Sequence, residues 1–204
     1  MTERESPTAT SLLDATERLL IDGGHSAVTT RRVANEAGQT HGLIRYHFGS
    51  LSGLMLATLQ RAASGIIERQ RSLYAGEGPF IQKWRTAMDY LEFDLTQNGF
   101  PKLAMELISL GWNDDSFRSE LAQMMKDFDR MLVEAVEEAV GEYHLGASAN
   151  EIAALATLIR TFQVGIMVER LAGIDVGHEN LLEVIEGRLG ALDRQAEVRN
   201  HAST

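Results

Sequence analysis

The chain has 204 residues, a formal net charge of −10 and no cysteine. This length allows one or two domains with a substantial core. The lack of cysteine excludes disulfides, thiolate chemistry and cysteine-based zinc sites, and it suits a cytoplasmic protein. No apolar run follows a basic segment at the amino terminus, so we expect no signal peptide.

The first predicted helix begins near residues 7–10 and ends at Asp22. One of its faces repeats at i, i+3, i+4 and i+7, which is the spacing of a buried helix face. Gly23 and Gly24 follow it and favour its end. The residues of this face are Leu12, Ala15, Thr16, Leu19 and Leu20.

Residues 29–50 predict two short helices joined by a tight turn. Thr29 is suited to cap the first helix, and Gly38 can end it because glycine adopts the left-handed conformation without a Cβ penalty. Thr40 can cap the second helix, and Ser50 can cap the helix after it. Two helices joined by a glycine-containing turn form the helix-turn-helix arrangement, whose second helix enters the DNA major groove.

The local charge of residues 29–50 agrees with a DNA partner. This stretch holds three arginines (Arg31, Arg32 and Arg45) against one acidic residue, in a chain that is strongly acidic overall. Phosphate contacts need cations at the contact surface, not a basic protein as a whole. An ordinary helical hairpin with a solvated polar face would show the same spacing.

Short motifs in this region favour the DNA-binding interpretation. Ala37-Gly38 stands at the turn, Tyr46-His47-Phe48 ends the second helix, and Gly49-Ser50 precedes the next helix. With these motifs, the stretch Leu12–Leu54 resembles the N-terminal domain of the TetR family of transcriptional regulators. Leu51 departs from the family pattern, which often has a phosphate-contacting lysine at that position.

The resemblance implies roles for individual residues. Arg31 and the start of the second helix would read bases, the threonines before the first helix and the end of the second helix would contact phosphates, and Arg45 could do either. The predicted DNA-binding residues are Thr29, Thr30, Arg31, Gln39, Thr40, His41, Arg45, Tyr46 and His47.

The remainder of the chain predicts six further helices and no strand. A long helix from Ser50 to Tyr74 would connect the DNA-binding head with the body, Pro79 and Pro101 would each open a helix, and Ser148 with Glu151 forms a capping box. The predicted ranges are 50–74, 79–99, 101–111, 116–141, 148–172 and 180–195, with a frayed tail at 198–204.

The apolar stretch Ile152–Val168 is interrupted by Arg160, Thr161 and Gln163. It is short for a membrane span, which needs ~20 apolar residues, so we interpret it as a buried helix and expect no membrane partner. A helix that is apolar all round must be covered on every side. One side would face the body and the other a second subunit.

The resemblance implies a homodimer in which the last two helices of each subunit form a four-helix bundle. The predicted interface residues are Ile159, Ile166, Leu182, Ile185, Leu189 and Leu192.

Aromatic and methionine side chains of the body allow two interpretations. They could line a cavity for an unknown small apolar effector, with Asp94, Arg160 and Gln163 as polar groups, or they could simply fill the core. The candidate effector-binding residues are Trp84, Met88, Phe93, Met105, Trp112, Met124, Phe128 and Phe162.

The sequence lacks the common motifs of catalytic and metal sites. The six histidines show no HExxH or other metal-ligand spacing, and there is no P-loop, GxGxxG or GxSxG. We therefore expect no catalytic residue, no metal site, no cofactor and no enzymatic activity.

The sequence thus predicts an all-α protein of about nine helices. Residues 1–50 would form a three-helix helix-turn-helix DNA-binding domain, and residues 51–204 an effector-binding and dimerisation domain. The expected function is a ligand-responsive repressor that binds a palindromic double-stranded DNA operator as a homodimer. The alternatives are a small-molecule-binding module with a non-functional DNA head, and an enzyme with a helical cavity.

Overall fold

The computed structural model describes residues 6–112, 114–174 and 176–202. Within these ranges the chain forms α-helices and one short 3-10 turn and no strand, which confirms the predicted all-α fold. The 3-10 turn, here named the His25 turn, is His25–Ala27. The helices are α1 (Pro7–Gly23), α2 (Thr30–Glu36), α3 (Gly42–Phe48), α4 (Leu51–Tyr74), α5 (Phe80–Thr96), α6 (Phe100–Leu110), α7 (Asp115–Glu142), α8 (Ala149–Leu171) and α9 (His178–Ala202).

The backbone packs as two compact units. Unit 1 holds the described residues of Met1–Ile66 and Gln97–Met125, and unit 2 holds those of Ile67–Thr96 and Lys126–Thr204. This division differs from the expected boundary between residues 50 and 51. It does so because Leu54 and Leu59 of α4, as well as Leu103 and Leu107 of α6, join the same hydrophobic core as α1.

The face of α1 that was predicted to be buried lies in the core of unit 1. Leu12 and Leu20 pack in one cluster with Val33 of α2 and Ile44 of α3, and each is at most 2% exposed. This confirms the expected three-helix head. Leu103 and Leu107 of α6 complete the cluster, a contribution that the sequence pattern did not predict.

Side-chain caps define several helix starts. The Gly53 N–H donates to Ser50 Oγ at 2.9 Å, and Ser148 forms the predicted capping box with Glu151 at the start of α8. Because these bonds satisfy amides that the helix itself leaves unpaired, they fix where α4 and α8 begin.

Unit 2 contains two smaller hydrophobic clusters. One joins Ile67, Met131, Leu132 and Ala156, and the other joins Phe80, Tyr143 and Ala196. Helix α9 is longer than the predicted range 180–195 and includes described residues of the expected frayed tail; residues 203–204 lie outside the described part of the chain.

In the single chain, helix α8 is buried on one side only. Leu155, Leu158 and Val168 are 44%, 64% and 46% exposed. By length and composition alone α8 is apolar enough to cross a membrane, and 22% of its most apolar 18-residue window is buried. One side of α8 packs within unit 2 through Ile152 and Ala156, and the other side remains uncovered in the single chain.

Candidate nucleic-acid interface

Helix α2 begins as predicted at a threonine cap. Thr29 has an extended backbone, and its hydroxyl accepts a hydrogen bond from the Arg32 N–H at 3.3 Å. Val33 and Ala34 are buried, at 0% and 4% exposure. Thr30 and Arg31, in the first turn of α2, are exposed.

The turn between α2 and α3 depends on a left-handed glycine. Gly38 has a φ of 64°, and the Gln39 N–H donates to the Ala34 carbonyl at 2.8 Å, which closes the end of α2. A Cβ at Gly38 would meet no atom within 4 Å. The backbone conformation, and not a lack of space, thus favours glycine here.

The start of α3 corrects one prediction. The N-cap position of α3 falls on His41 and not on Thr40, and no side-chain hydrogen bond caps the helix. The backbone amides of Leu43 and Ile44 donate to the carbonyls of Thr40 and His41, at 3.1 and 3.3 Å. The Thr40 side chain is exposed and does not cap α3.

Two side chains anchor α3, as predicted. Ile44 and Phe48 are 2% and 7% exposed, whereas Tyr46 is 63% exposed. The rings of Tyr46 and His47 meet edge to face, with centroids 4.8 Å apart. This packing restricts both rings at the exposed end of α3.

Gln39 is partly engaged within the head. Its side-chain amide donates to Ser11 Oγ of α1 at 3.4 Å, a long hydrogen bond, and the residue is half-buried. The structure therefore gives Gln39 a role in holding the turn against α1, beside its predicted role at the interface.

The cations of this face are not neutralised by neighbouring acids. Arg31, Arg32 and Arg45 are exposed and form no ion pair with any residue that the structure describes. The acidic residue of α2, Glu36, instead pairs with Arg18 of α1 at 3.1 Å. The face formed by α2 and α3, here named the α2–α3 face, is thus locally positive on an acidic protein. Arg32 was not among the predicted contacts, although its charge and its place in the first turn of α2 were visible in the sequence.

Leu51 lies half-buried against the core of unit 1. It therefore cannot replace the phosphate-contacting lysine that the resemblance leads one to expect. Nearby, the backbone of Gly53 lies against the Phe48 carbonyl oxygen, and a Cβ on Gly53 would lie 2.3 Å from that oxygen. Glycine at this position is therefore explained by packing.

The candidate effector-binding residues are divided between the two units. Trp84, Met124 and Phe128 pack beside three different hydrophobic clusters, as core-filling residues do. Phe93 and Trp112 are 51% and 79% exposed. The remaining candidates are half-buried: Met88, Met105 and Phe162.

Two of the three polar groups suggested for an effector site have partners inside unit 2, whereas the side-chain oxygen Oε1 of Gln163 is buried without a hydrogen-bond partner among the described residues. Asp94 pairs with Arg69, whose guanidinium also lies 4.6 Å from the centroid of the Tyr90 ring. Arg160 Nε lies 2.5 Å from Asp129 Oδ1. No group of three possible metal ligands occurs among the residues that the structure describes.

The predicted dimer residues lie largely inside the unit. Ile166 is 3% exposed, Ile159 packs beside the Met131 cluster, and Leu189 and Leu192 pack beside the Phe80 cluster. Leu182 and Ile185 are half-buried. The exposed apolar residues of α9 are Leu181, Val184 and Val198, at 42%, 61% and 69% exposure.

Residues 12–58 match the family described as bacterial regulatory proteins, tetR family. The chain is 30% identical over 145 residues to the HTH-type transcriptional repressor KstR of Mycobacterium tuberculosis, a match that covers 69% of this chain and 65% of KstR.

Two solved structures share the fold. A putative transcriptional regulator from Pseudomonas aeruginosa PAO1 superimposes with a TM-score of 0.72 at 14% identity, over 93% of this chain and 92% of that chain. The regulator FadR of Bacillus subtilis, in complex with stearoyl-CoA, superimposes with a TM-score of 0.67 at 11% identity, over 92% and 96%. At these identities the likeness concerns the fold.

Proposed function

Because the chain belongs to the tetR family of bacterial regulatory proteins through its residues 12–58, we propose that it represses transcription by binding a palindromic double-stranded DNA operator through the α2–α3 face. The observation that carries this proposal is the set of three exposed and unpaired arginines on that face. A buried anchor, formed by Ile44 and Phe48, holds α3 so that its opposite side points outward.

The residue roles follow from exposure and position. Arg31 reads a base, and Gln39, Thr40 and His41 meet base edges at the start of α3. The phosphate contacts are Thr29, Thr30, Tyr46 and His47, and Arg45 contacts either a base or a phosphate. We add Arg32 as a phosphate contact because it is exposed and cationic. An arginine bidentate to guanine contributes ~1–3 kcal/mol of discrimination.

A homodimer is proposed on the uncovered side of unit 2. Along α9, exposed or half-exposed residues recur at spacings of three and four, the pattern of a helix that packs lengthwise on another helix. We name these residues the α9 stripe: Leu181, Val184, Arg188, Ala191, Gln195 and Val198. Leu155 and Leu158 give α8 an exposed apolar side as well. A second copy of the chain would cover both helices. This proposal adds exposed neighbours to the sequence-predicted interface residues, of which Ile166 is buried in the single chain.

The effector is proposed to be a small, mainly apolar molecule. FadR of Bacillus subtilis was solved with stearoyl-CoA, so long-chain acyl-CoA thioesters are the first ligands to test. Such a ligand would release the operator only if it binds the non-operator conformation better, since equal affinity for both states shifts nothing. Helices α4 and α7 each contribute residues to both units, and we propose that such a change passes through α4, which directly follows the α2–α3 face. We place this regulator in the cytoplasm, where its DNA partner lies.

The test is a titration of the purified protein against the DNA flanking its own gene, at several salt concentrations. Tight, sequence-selective binding that weakens steeply with salt supports the regulator. If flanking DNA fails, selection from random duplexes follows. Failure to enrich any sequence contradicts the proposal and favours the small-molecule module with a silent head.

Release of a bound operator by an acyl-CoA then tests the effector class. A matched free CoA control separates recognition of the acyl chain from recognition of the nucleotide. Catalytic turnover of a ligand that persists after deletion of residues 1–50 would instead favour an enzyme.

A further inference from the structure

Besides its apolar packing against α1, helix α6 contacts the DNA-binding head through a carboxylate. Glu106 Oε2 accepts two hydrogen bonds from His25, one from the backbone N–H at 2.8 Å and one from the ring Nδ1–H at 2.6 Å. Both residues lie in unit 1, and their side chains are 33% and 50% exposed. This contact belongs neither to the α2–α3 face nor to the proposed dimer surface.

The Glu106 contact supplies an acceptor for the His25 amide, which has no backbone partner in the described part of the chain. Three neighbouring amides do have backbone partners, because Gly24, Ala27 and Val28 donate to the carbonyls of Leu20, Gly24 and His25. The His25 N–H donates instead to Glu106. A backbone donor that loses its protein partner must find water or shift, so the carboxylate fixes the shape of the turn.

Gly24 allows the carboxylate to come this close. Its φ is 67°, and a Cβ at this position would lie 2.8 Å from Glu106 Oε1. The carboxylate therefore occupies the space that a side chain at residue 24 would take. The hydrogen bonds from His25 hold the pKa of Glu106 below its ordinary value, so the carboxylate remains ionised as the acceptor near neutral pH.

The His25 turn leads directly into α2. Val28 is 5% exposed and tightly packed, and Thr29 is already the N-cap of α2. A shift of the turn therefore displaces the amino terminus of α2, where Thr30 and Arg31 begin the α2–α3 face. We infer that Glu106 is a positioning residue for DNA binding, which holds the His25 turn and thereby orients the amino terminus of α2. This inference rests on the proposed DNA-binding function.

The experiment compares operator affinities of the full-length wild type and four variants, each corrected for its active fraction. Glu106→Ala removes the acceptor, and Glu106→Asp keeps the charge but shortens its reach. Both are expected to weaken binding about tenfold, whereas Glu106→Gln keeps an acceptor oxygen and should stay within about threefold of wild type. The matched control is Glu120→Ala, which removes a comparable bond from Gln60 to α7 in the same unit and should leave affinity unchanged.

A second measurement follows hydrogen exchange of the His25 amide in the same proteins. We expect faster exchange in Glu106→Ala and Glu106→Asp, and near wild-type exchange in Glu106→Gln. If all the Glu106 variants bind the operator with the affinity of wild type, the inference is overturned but the proposed function stands. A weakening by Glu106→Gln as large as that by Glu106→Ala would overturn it too, since the acceptor oxygen would then not be what matters. A wild type that binds no operator would overturn both the inference and the proposed function.

Discussion

At the scale of single residues, the side chains of the α2–α3 face differ in what they are expected to recognise. Arg31 is exposed, carries no competing ion pair among the described residues and follows the threonine cap. We expect Arg31→Ala to cost ~1–3 kcal/mol of specific binding, with a smaller effect on non-specific DNA. Operator and scrambled duplexes titrated side by side measure the difference.

Two comparisons make the Arg31 prediction specific. Tyr46→Ala, at a proposed phosphate contact, should weaken operator and scrambled DNA about equally. Arg130→Ala removes a positive charge from unit 2 and should leave the ratio of the two affinities unchanged. An Arg31→Ala protein that loses both affinities to the same extent would assign Arg31 to the phosphates.

We also expect the Glu106 carboxylate to make the folding stability depend on pH in the acid range. Its folded-state pKa lies below the ordinary value of 4.5, chiefly because of the His25 backbone hydrogen bond. A lowered carboxyl pKa contributes stability that is fully present above the unfolded value and is lost as the pH falls through the folded value.

Thermal unfolding of wild type and Glu106→Gln between pH 7 and pH 3 tests this contribution. The advantage of wild type over Glu106→Gln should be largest near neutral pH and should shrink below about pH 4.5. Two curves that stay parallel over this range would show that the carboxylate does not titrate differently in the folded state.

Residue identity alone predicted part of this site. The cap at Thr29, the left-handed Gly38 and the anchors Ile44 and Phe48 follow from local chemistry, and the structure places all four as predicted. The predicted cap of α3 was wrong by one residue, because the structure begins this helix after His41 and not after Thr40. The Glu106–His25 contact joins residues 81 positions apart, a distance that no local pattern reports.

At the scale of helices, α9 presents its most exposed apolar side chains along one stripe. Val184 is 61% exposed, so Val184→Glu should change the stability of the single subunit little. At a helix–helix interface the same change buries a charge without a partner, and we expect it to split the dimer. Sedimentation of wild type and variant at equal concentration measures this.

The neighbours of Val184 supply the controls. Glu183→Ala alters an exposed residue outside the α9 stripe and should leave the dimer intact. Ile185 is half-buried in unit 2, so Ile185→Glu should also lower the melting temperature. A Val184→Glu protein with the mass of an unchanged dimer would place the interface on another surface.

Helix periodicity predicted where the nine α-helices of the described residues lie along the chain better than it predicted which of their faces are buried in the single chain. The capping box at Ser148 and the length of α4 were visible in the sequence because they depend on neighbouring residues. Helix α8 is apolar on all sides, so its pattern could not show which side packs in its own subunit. This is why Ile166 was assigned to an interface although it is 3% exposed in the single chain.

At the scale of the whole molecule, two heads should engage the operator together. Recognition helices of a dimer meet half-sites about one DNA turn apart, ~34–36 Å. Each neutralised phosphate contributes about −0.9 to the slope of log affinity against log salt, so Arg32→Ala should flatten the slope by about 2 for a dimer. Affinities at four or more salt concentrations give the value, and a footprint shows the half-site spacing.

A flattening by about 1 would instead indicate that a single Arg32 contacts DNA in each complex. An unchanged slope would remove Arg32 from the phosphate contacts.

The uncovered side of α8 and α9 has a consequence for gene dosage. If only the dimer can bind both half-sites, the amount of operator-binding protein varies with the square of the chain concentration at low expression. Halving synthesis would then reduce operator occupancy by more than half. A cell that dilutes this regulator by growth would relieve repression abruptly, without any ligand, and restore it only after enough chains accumulate to meet one another.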